Sequence, residues 1–146
     1  LVGSEMCIRD RGNGVFHLTE SVYLTAADVR SLQLAKAAVA GGVEVLLARH
    51  GIKAGDLSRV CLAGGFGNYI DPKSAMTLGM LPEISPERLH CLGNTSLAGA
   101  SMAAVDPECR RELRSCAKKC EYIELSGLRE FTEAFTDSMT FDITED

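Results

Sequence analysis

Arg59-Val60-Cys61-Leu62-Ala63-Gly64-Gly65-Phe66-Gly67-Asn68-Tyr69-Ile70-Asp71 decides how this chain is read. Val60–Ala63 is a short apolar run bounded by turn residues, the pattern of a buried strand. It runs into Gly64, Gly65 and Gly67, then into a helix start at Asp71-Pro72, where Asp caps and Pro fits the first turn. Strand, glycine turn and helix together bring main chain close to a flat or anionic ligand. Glycine lacks the Cβ that would block the approach and tolerates positive φ. The helix N-terminus adds free N–H groups and a partial positive charge. A tight turn with no ligand satisfies the same pattern. The spacing is not the G-x-G-x-x-G of dinucleotide-binding folds, and no Lys-Ser/Thr follows as in a P-loop.

Working outward, the same signals recur. Residues 89–92 read as a second buried strand ending at Gly93, with Asn94 or Thr95 capping a helix over residues 96–105. Asn94 serves either as part of a purely structural turn or as a second contact to a ligand. Between the two strands lie a short helix over 72–78, stopped by Gly79, and a Pro-punctuated loop over 81–88. Upstream, residues 15–18 and 22–24 read as strands around a Thr-Glu-Ser turn. Thr25 then opens the longest helix, with Asp28 completing a capping box and Gly51 ending it. On it Val29, Leu32, Val39, Val43 and Leu46 recur at helical spacing as the expected core face. Ala35, Ala38, Gly41 and Gly42 make a small-residue face. Arg30, Gln33 and Lys36 share a polar one, either a solvated stripe or a ligand-facing set. Downstream the pattern predicts a helix from Asp106-Pro107 to Lys119, a strand over 121–125, a last helix that follows Ser126 and reaches Met139, and a frayed acidic tail over 142–146.

At 146 residues the chain holds one domain or one lobe of a larger one. A net charge of −5 leaves no basic stripe for nucleic acid. Read from the sequence, no uninterrupted apolar run reaches the roughly 20 residues that span a bilayer, so no membrane is expected. Six cysteines without paired spacing fit a reducing cytoplasm better than a disulfide framework. Cys109, Cys116 and Cys120, with Leu113, form one apolar helical stripe, which predicts a core face, and Cys61 and Cys91 read as core within their strands. The separated His17, His50 and His90 suit strand ends and surface rather than metal ligation. No metal site and no catalytic residue is assigned. Residues 1–11 start without Met and carry no periodicity. They read as a non-native leader, with residues 12–146 a fragment of a longer protein.

Leu62-Ala63-Gly64-Gly65-Phe66-Gly67 resembles the adenosine-contacting motif of the acetate-and-sugar-kinase/heat-shock-chaperone/actin (ASKHA) ATPase superfamily. Val22-Tyr23-Leu24-Thr25, Asp28-Val29-Arg30 and Gln33-Leu34-Ala35-Lys36 are similar to the reductive activators of corrinoid proteins within it. So are Gly67-Asn68-Tyr69-Ile70-Asp71-Pro72, Gly93-Asn94 with Ala98-Gly99-Ala100, and Glu121-Tyr122-Ile123-Glu124-Leu125-Ser126. The likeness runs from Val15 to Phe141 with the motifs in order.

The resemblance implies an α/β fold: one lobe of an actin/ribonuclease-H-like ATPase, with a mixed sheet and packed helices. It implies ATP as ligand, with Mg²⁺ held by residues outside this fragment and an iron–sulfur cluster in a further, upstream domain. It also implies a corrinoid protein as partner, receiving electrons uphill at its cobalt, and a homodimer is possible on the same grounds. The adenosine side falls to Gly64, Gly65, Phe66 and Gly67, joined by Gln33, Lys36 and Asn94. Tyr69 and Ile70 are expected to pack at the lobe junction, or else to face a partner. Two other readings stay open: the adenosine-binding half of a sugar or acyl kinase, and a docking or dimerisation module without nucleotide. The catalytic loops belong to the other lobe, so the fragment alone is expected to hydrolyse ATP slowly or not at all.

Overall fold

Thr25 opens the element against which much of the chain packs. A computed structural model describes residues 14–141, apart from the side chains of Phe66 and Asn68. The expectations for the leader and the acidic tail lie outside the described residues. A short antiparallel hairpin, β1 (Val15–His17) and β2 (Tyr23–Thr25), pairs Phe16 with Leu24 and leads directly into α1 (Ala26–His50). The Thr25 hydroxyl accepts the Asp28 N–H, and the Asp28 carboxylate takes the Thr25 N–H at 2.8 Å and its hydroxyl at 2.7 Å. This reciprocal box satisfies donors that the first turn leaves orphaned. At the other end Gly51, at φ 65, closes the helix with its N–H on the Ala48 and Leu47 carbonyls.

β3 (Val60–Ala63) and β4 (Leu89–Gly93) form a parallel ladder. Val60, Cys61 and Leu62 face Leu89, His90 and Cys91; the register then slips so that Ala63 faces Gly93. Each strand feeds a helix: β3 gives α2 (Gly64–Tyr69), then α3 (Pro72–Thr77), and β4 gives α4 (Thr95–Val105). Asp71 caps α3 by accepting from the Ser74 N–H and hydroxyl. α5 (Pro107–Lys119) lies against α4, and α6 (Arg129–Asp137) against α1. The sheet is mixed in that both pairings occur, in two separate ladders among the described residues.

The core sits between α1, α3 and the β3–β4 ladder. Ala75, Met80 and Leu81 are buried, with Leu32, Leu62, Ile70, Met76 and Leu89 packed against them. On α1 the buried positions are Val29, Gln33, Lys36, Ala37, Gly41, Gly42 and Val45. Val29 is buried and Leu32 packs on the core as expected, but the rest departs from the expected pattern. α6 approaches so closely that a Cβ on Gly41 would lie 3.0 Å from the Phe135 nitrogen, so small residues take the interior. Val39 and Leu46 are left partly exposed. They line a hollow of about 490 Å³ with Val60, Cys61, Leu62 and Leu81. The polar stripe is not solvated as a set: Gln33 and Lys36 are each only 3% exposed, while Arg30 is on the surface. By length and composition α1 also passes for a membrane-crossing helix, although charged residues interrupt its apolar run.

Three further expectations fail for local reasons. Residues 121–125 form no strand: Glu124 turns back to accept from the Ser126 N–H and hydroxyl and the Tyr122 hydroxyl, a local arrangement that competes with extended pairing. Cys61 and Cys91 are exposed, because nothing described covers that part of the two-stranded ladder. Cys116 and Cys120 are exposed and Cys109 half-buried, since α5 contributes no buried residue. On this lobe Tyr69 is 89% exposed, whereas Ile70 joins the core.

Gly41 and Gly42 separate backbone propensity from packing. Gly42→Ala would place its Cβ 3.5 Å from the Leu125 side chain, an ordinary contact, and should stabilise by about 0.5–1 kcal/mol through helix propensity. Gly41→Ala should instead destabilise by about 1–3 kcal/mol through overpacking against α6. Urea unfolding of both variants checks this; shifts of the same sign would sink the close-approach account.

Asp28 is held below its ordinary value of 3.8, first by the Thr25 hydroxyl and then by the Thr25 N–H. Its folded value lies below its unfolded one. The stability it contributes is therefore present above pH 3.8 and lost as pH falls through the folded value. Asp28→Asn should flatten that part of the acid limb of an unfolding series.

Candidate functional site

The slip in register puts two glycine turns side by side. Ala63 and Gly93 are partners at the C-terminal end of the ladder, so the Gly64–Gly65 turn and the Gly93–Asn94 turn leave the sheet together. Ligands of open α/β sheets bind beyond the carboxyl ends of parallel strands. Gly64 has φ 84 and Gly93 has φ 66, conformations that a side chain strains. A Cβ built on Gly64, Gly65 or Gly93 meets nothing within 4 Å. Gly65 is exposed and Gly64 half-buried, so a strip of bare main chain faces outward.

Gly67 has a different role. It is buried, and a Cβ there would stand 3.0 Å from the Leu62 carbonyl carbon and 3.1 Å from the Leu62 Cβ. Its missing side chain lets α2 fold back onto β3 rather than admitting a ligand. Phe66 lies on α2, but its side chain is outside those described. Asn94 is exposed and caps α4, its Oδ1 accepting the Leu97 N–H at 3.0 Å. The cap occupies one acceptor position; the amide group has others. Below the turn Asp71 is held under its usual carboxylate range by the Ser74 hydroxyl and then its N–H.

Gln33 and Lys36 lie in the packed side of α1, and the Lys36 ammonium donates to the Thr140 carbonyl. The structure thus gathers Gly64, Gly65, Gly93 and Asn94 at one edge, with Gly67 as the packing residue behind them. It places Gln33 and Lys36 in the interior. Sequence reasoning left Gly93 out of the site, although a second strand ending in glycine was the available signal.

A family model described as the C-terminal domain of RACo, the ASKHA domain, matches residues 7–146. This chain belongs to that family. Its fold is accordingly that of an ASKHA lobe. It is similar to the corrinoid activation enzyme RamQ of Eubacterium limosum, 34% identical over 122 residues, which cover 84% of this chain and 21% of that protein. A solved structure of a reductive activator for corrinoid, iron–sulfur protein superposes with a TM-score of 0.73 at 37% identity, over 80% of this chain and 19% of that one. The chain thus spans about a fifth of the length of these relatives.

The glycines of this RACo-family turn divide by role, and stability separates them. Gly65→Ala should leave unfolding free energy within about 0.5 kcal/mol of the parent, since its Cβ enters open space. Gly67→Ala should lose about 1–3 kcal/mol against the Leu62 backbone. Asn94→Ala should lose about 1 kcal/mol through the missing cap. Chemical denaturation of the three variants is the measurement, and equal losses at Gly65 and Gly67 would refute the division.

Proposed function

We propose that this chain is the adenosine-side lobe of an ATP-dependent reductive activator, which delivers electrons to the cobalt of a corrinoid protein. The observation that carries the reading is the bare main chain at Gly64 and Gly65, set in register with Gly93 at the carboxyl end of a parallel ladder. That strip fits a nucleoside: the ribose and base lie against glycine backbone where any Cβ would intervene, and Asn94 offers its amide at the second turn. The family and the corrinoid-activating relatives supply the partner class.

Phosphoryl transfer to water is catalysed chiefly by positioning and by stabilising phosphate charge. This lobe's residues bind and orient the nucleoside end and exclude water from it. No group of three or more metal-ligating side chains gathers among the described residues, so no Mg²⁺ step is assigned to them. The described cysteines are free and dispersed over β3, β4 and α5 and do not fit a cluster. In this reading electron delivery falls to parts of a longer protein outside this lobe. Nucleotide binding between two lobes shifts a docked partner only by favouring one of its states over the other. Free thiols suit a reducing, cytoplasmic setting.

The test is Gly65→Arg in the intact open reading frame. A side chain there crosses open space, so folding should be unchanged, while kcat/KM for ATP should fall by roughly two orders of magnitude, as expected when a ligand's seat is filled. Unaltered nucleotide affinity in a normally folded Gly65→Arg protein would refute the reading. The 146-residue chain itself should show little or no ATP turnover.

A further inference from the structure

The Lys36 ammonium joins three stretches that are far apart in sequence. Lys36 lies within α1 and is 3% exposed. Its Nζ donates to the Thr140 carbonyl and sits 4.8 Å from the centroid of the Phe141 ring. A Cβ built on Gly79 would stand 3.3 Å from the same Nζ, so the turn that ends α3 also closes on it. A buried ammonium is strongly unfavourable unless its charge and donors are met. Here the stretch after α6 brings a carbonyl dipole and the negative face of an aromatic ring. Residues 138–141 are all half-buried, although they lie beyond the last helix.

We infer that Lys36 is a latch: its charge holds the 138–141 strap against α1 and the Gly79 turn, and loss of that contact releases the strap and uncovers the ammonium. Through the Lys36 ammonium the strap adjoins the Gly79 turn. Gly79 precedes Met80, and the Met80 cluster includes Leu62 from β3 and Ile70 from the far side of α2. Opening the latch therefore loosens one wall of the core on which β3 and the α2–α3 connection rest. The inference does not depend on what the glycine turn binds.

Amine acylation of the whole 146-residue chain, mapped by peptide mass spectrometry, tests it. Lys53, Lys73, Lys118 and Lys119 are exposed and serve as internal references. Lys36 should react about tenfold or more slowly than these four, because it is reached only through local opening. Phe141→Ala, which leaves α1 and α6 intact, should raise its rate toward theirs. Lys36→Met keeps most of the buried stem without the charge, and should speed carboxypeptidase trimming of residues 138–141 with helicity retained. Reaction of Lys36 at the rate of the exposed lysines in the parent would overturn the latch. So would continued protection in the Phe141→Ala chain, or unchanged trimming of the Lys36→Met chain.

Discussion

Where α2 lies against β3, the Leu62 main chain and the absent side chain of Gly67 leave no room for even a methyl group. That single approach fixes how the chain leaves the sheet. With Gly67 pressed on Leu62, the three preceding residues must reverse direction at once, and only a glycine at positive φ does so without strain. Gly64 takes that conformation, and the reversal turns the main chain of Gly64 and Gly65 outward. One glycine packs, one bends and one is left bare. β4 repeats the bend at Gly93 but caps the next helix with an Asn side chain in place of a close approach, since a Cβ on Gly99 meets nothing within 4 Å.

The same preference for closeness over bulk shapes α1. Among its interior positions Gly41 is the one where α6 comes near enough that a larger side chain would collide. Val29 and Leu32 still face inward, while Val39 and Leu46 are left to the side. The resulting core is thin, and no large side chain among the described residues is fully buried. Apolar surface stays open elsewhere, most plainly on the α4–α5 hairpin, where Leu97, Met102 and Val105 are exposed, Val105 by 83%.

Local chemistry was legible in the sequence wherever a short-range signal sufficed. The Thr25–Asp28 box, the Gly51 stop, the Asp71 and Asn94 caps and both strand-to-glycine junctions depend on residues within a few positions of one another. The glycine turn was legible for that reason. What was not legible depended on neighbours. Periodicity identifies a helix but not which face meets a partner, so Lys36 gave no sign that the chain's far end would cover it. Cysteine stripes look like core until it is known whether anything covers them. Residues 64–69 form a helix against the propensity of three glycines, because the packing of Gly67 on Leu62 outweighs it. At 121–125 the error ran the other way: a strand was expected, while a carboxylate two residues from a serine offered a nearer set of hydrogen bonds.

The edge of β3 shows how far the lobe's organisation follows from these constraints. Arg59, Val60, Cys61 and Leu62 all line the hollow beside α1. Side chains alternate between the two faces of a strand, so a hollow touched by four consecutive residues runs along the strand's edge rather than over one face. β4 occupies the opposite edge, and among the described residues nothing pairs with this one. Unpaired edges carry a row of exposed donors and acceptors, and folded proteins ordinarily pair, shorten or cover them. Here the strand is only four residues long, which limits the exposed row, and α1 stands close enough to wall the hollow with Val39 and Leu46. The displaced apolar face of α1 and the unpaired edge of β3 are therefore one surface, produced by the tight packing of α6 on the opposite side of the same helix.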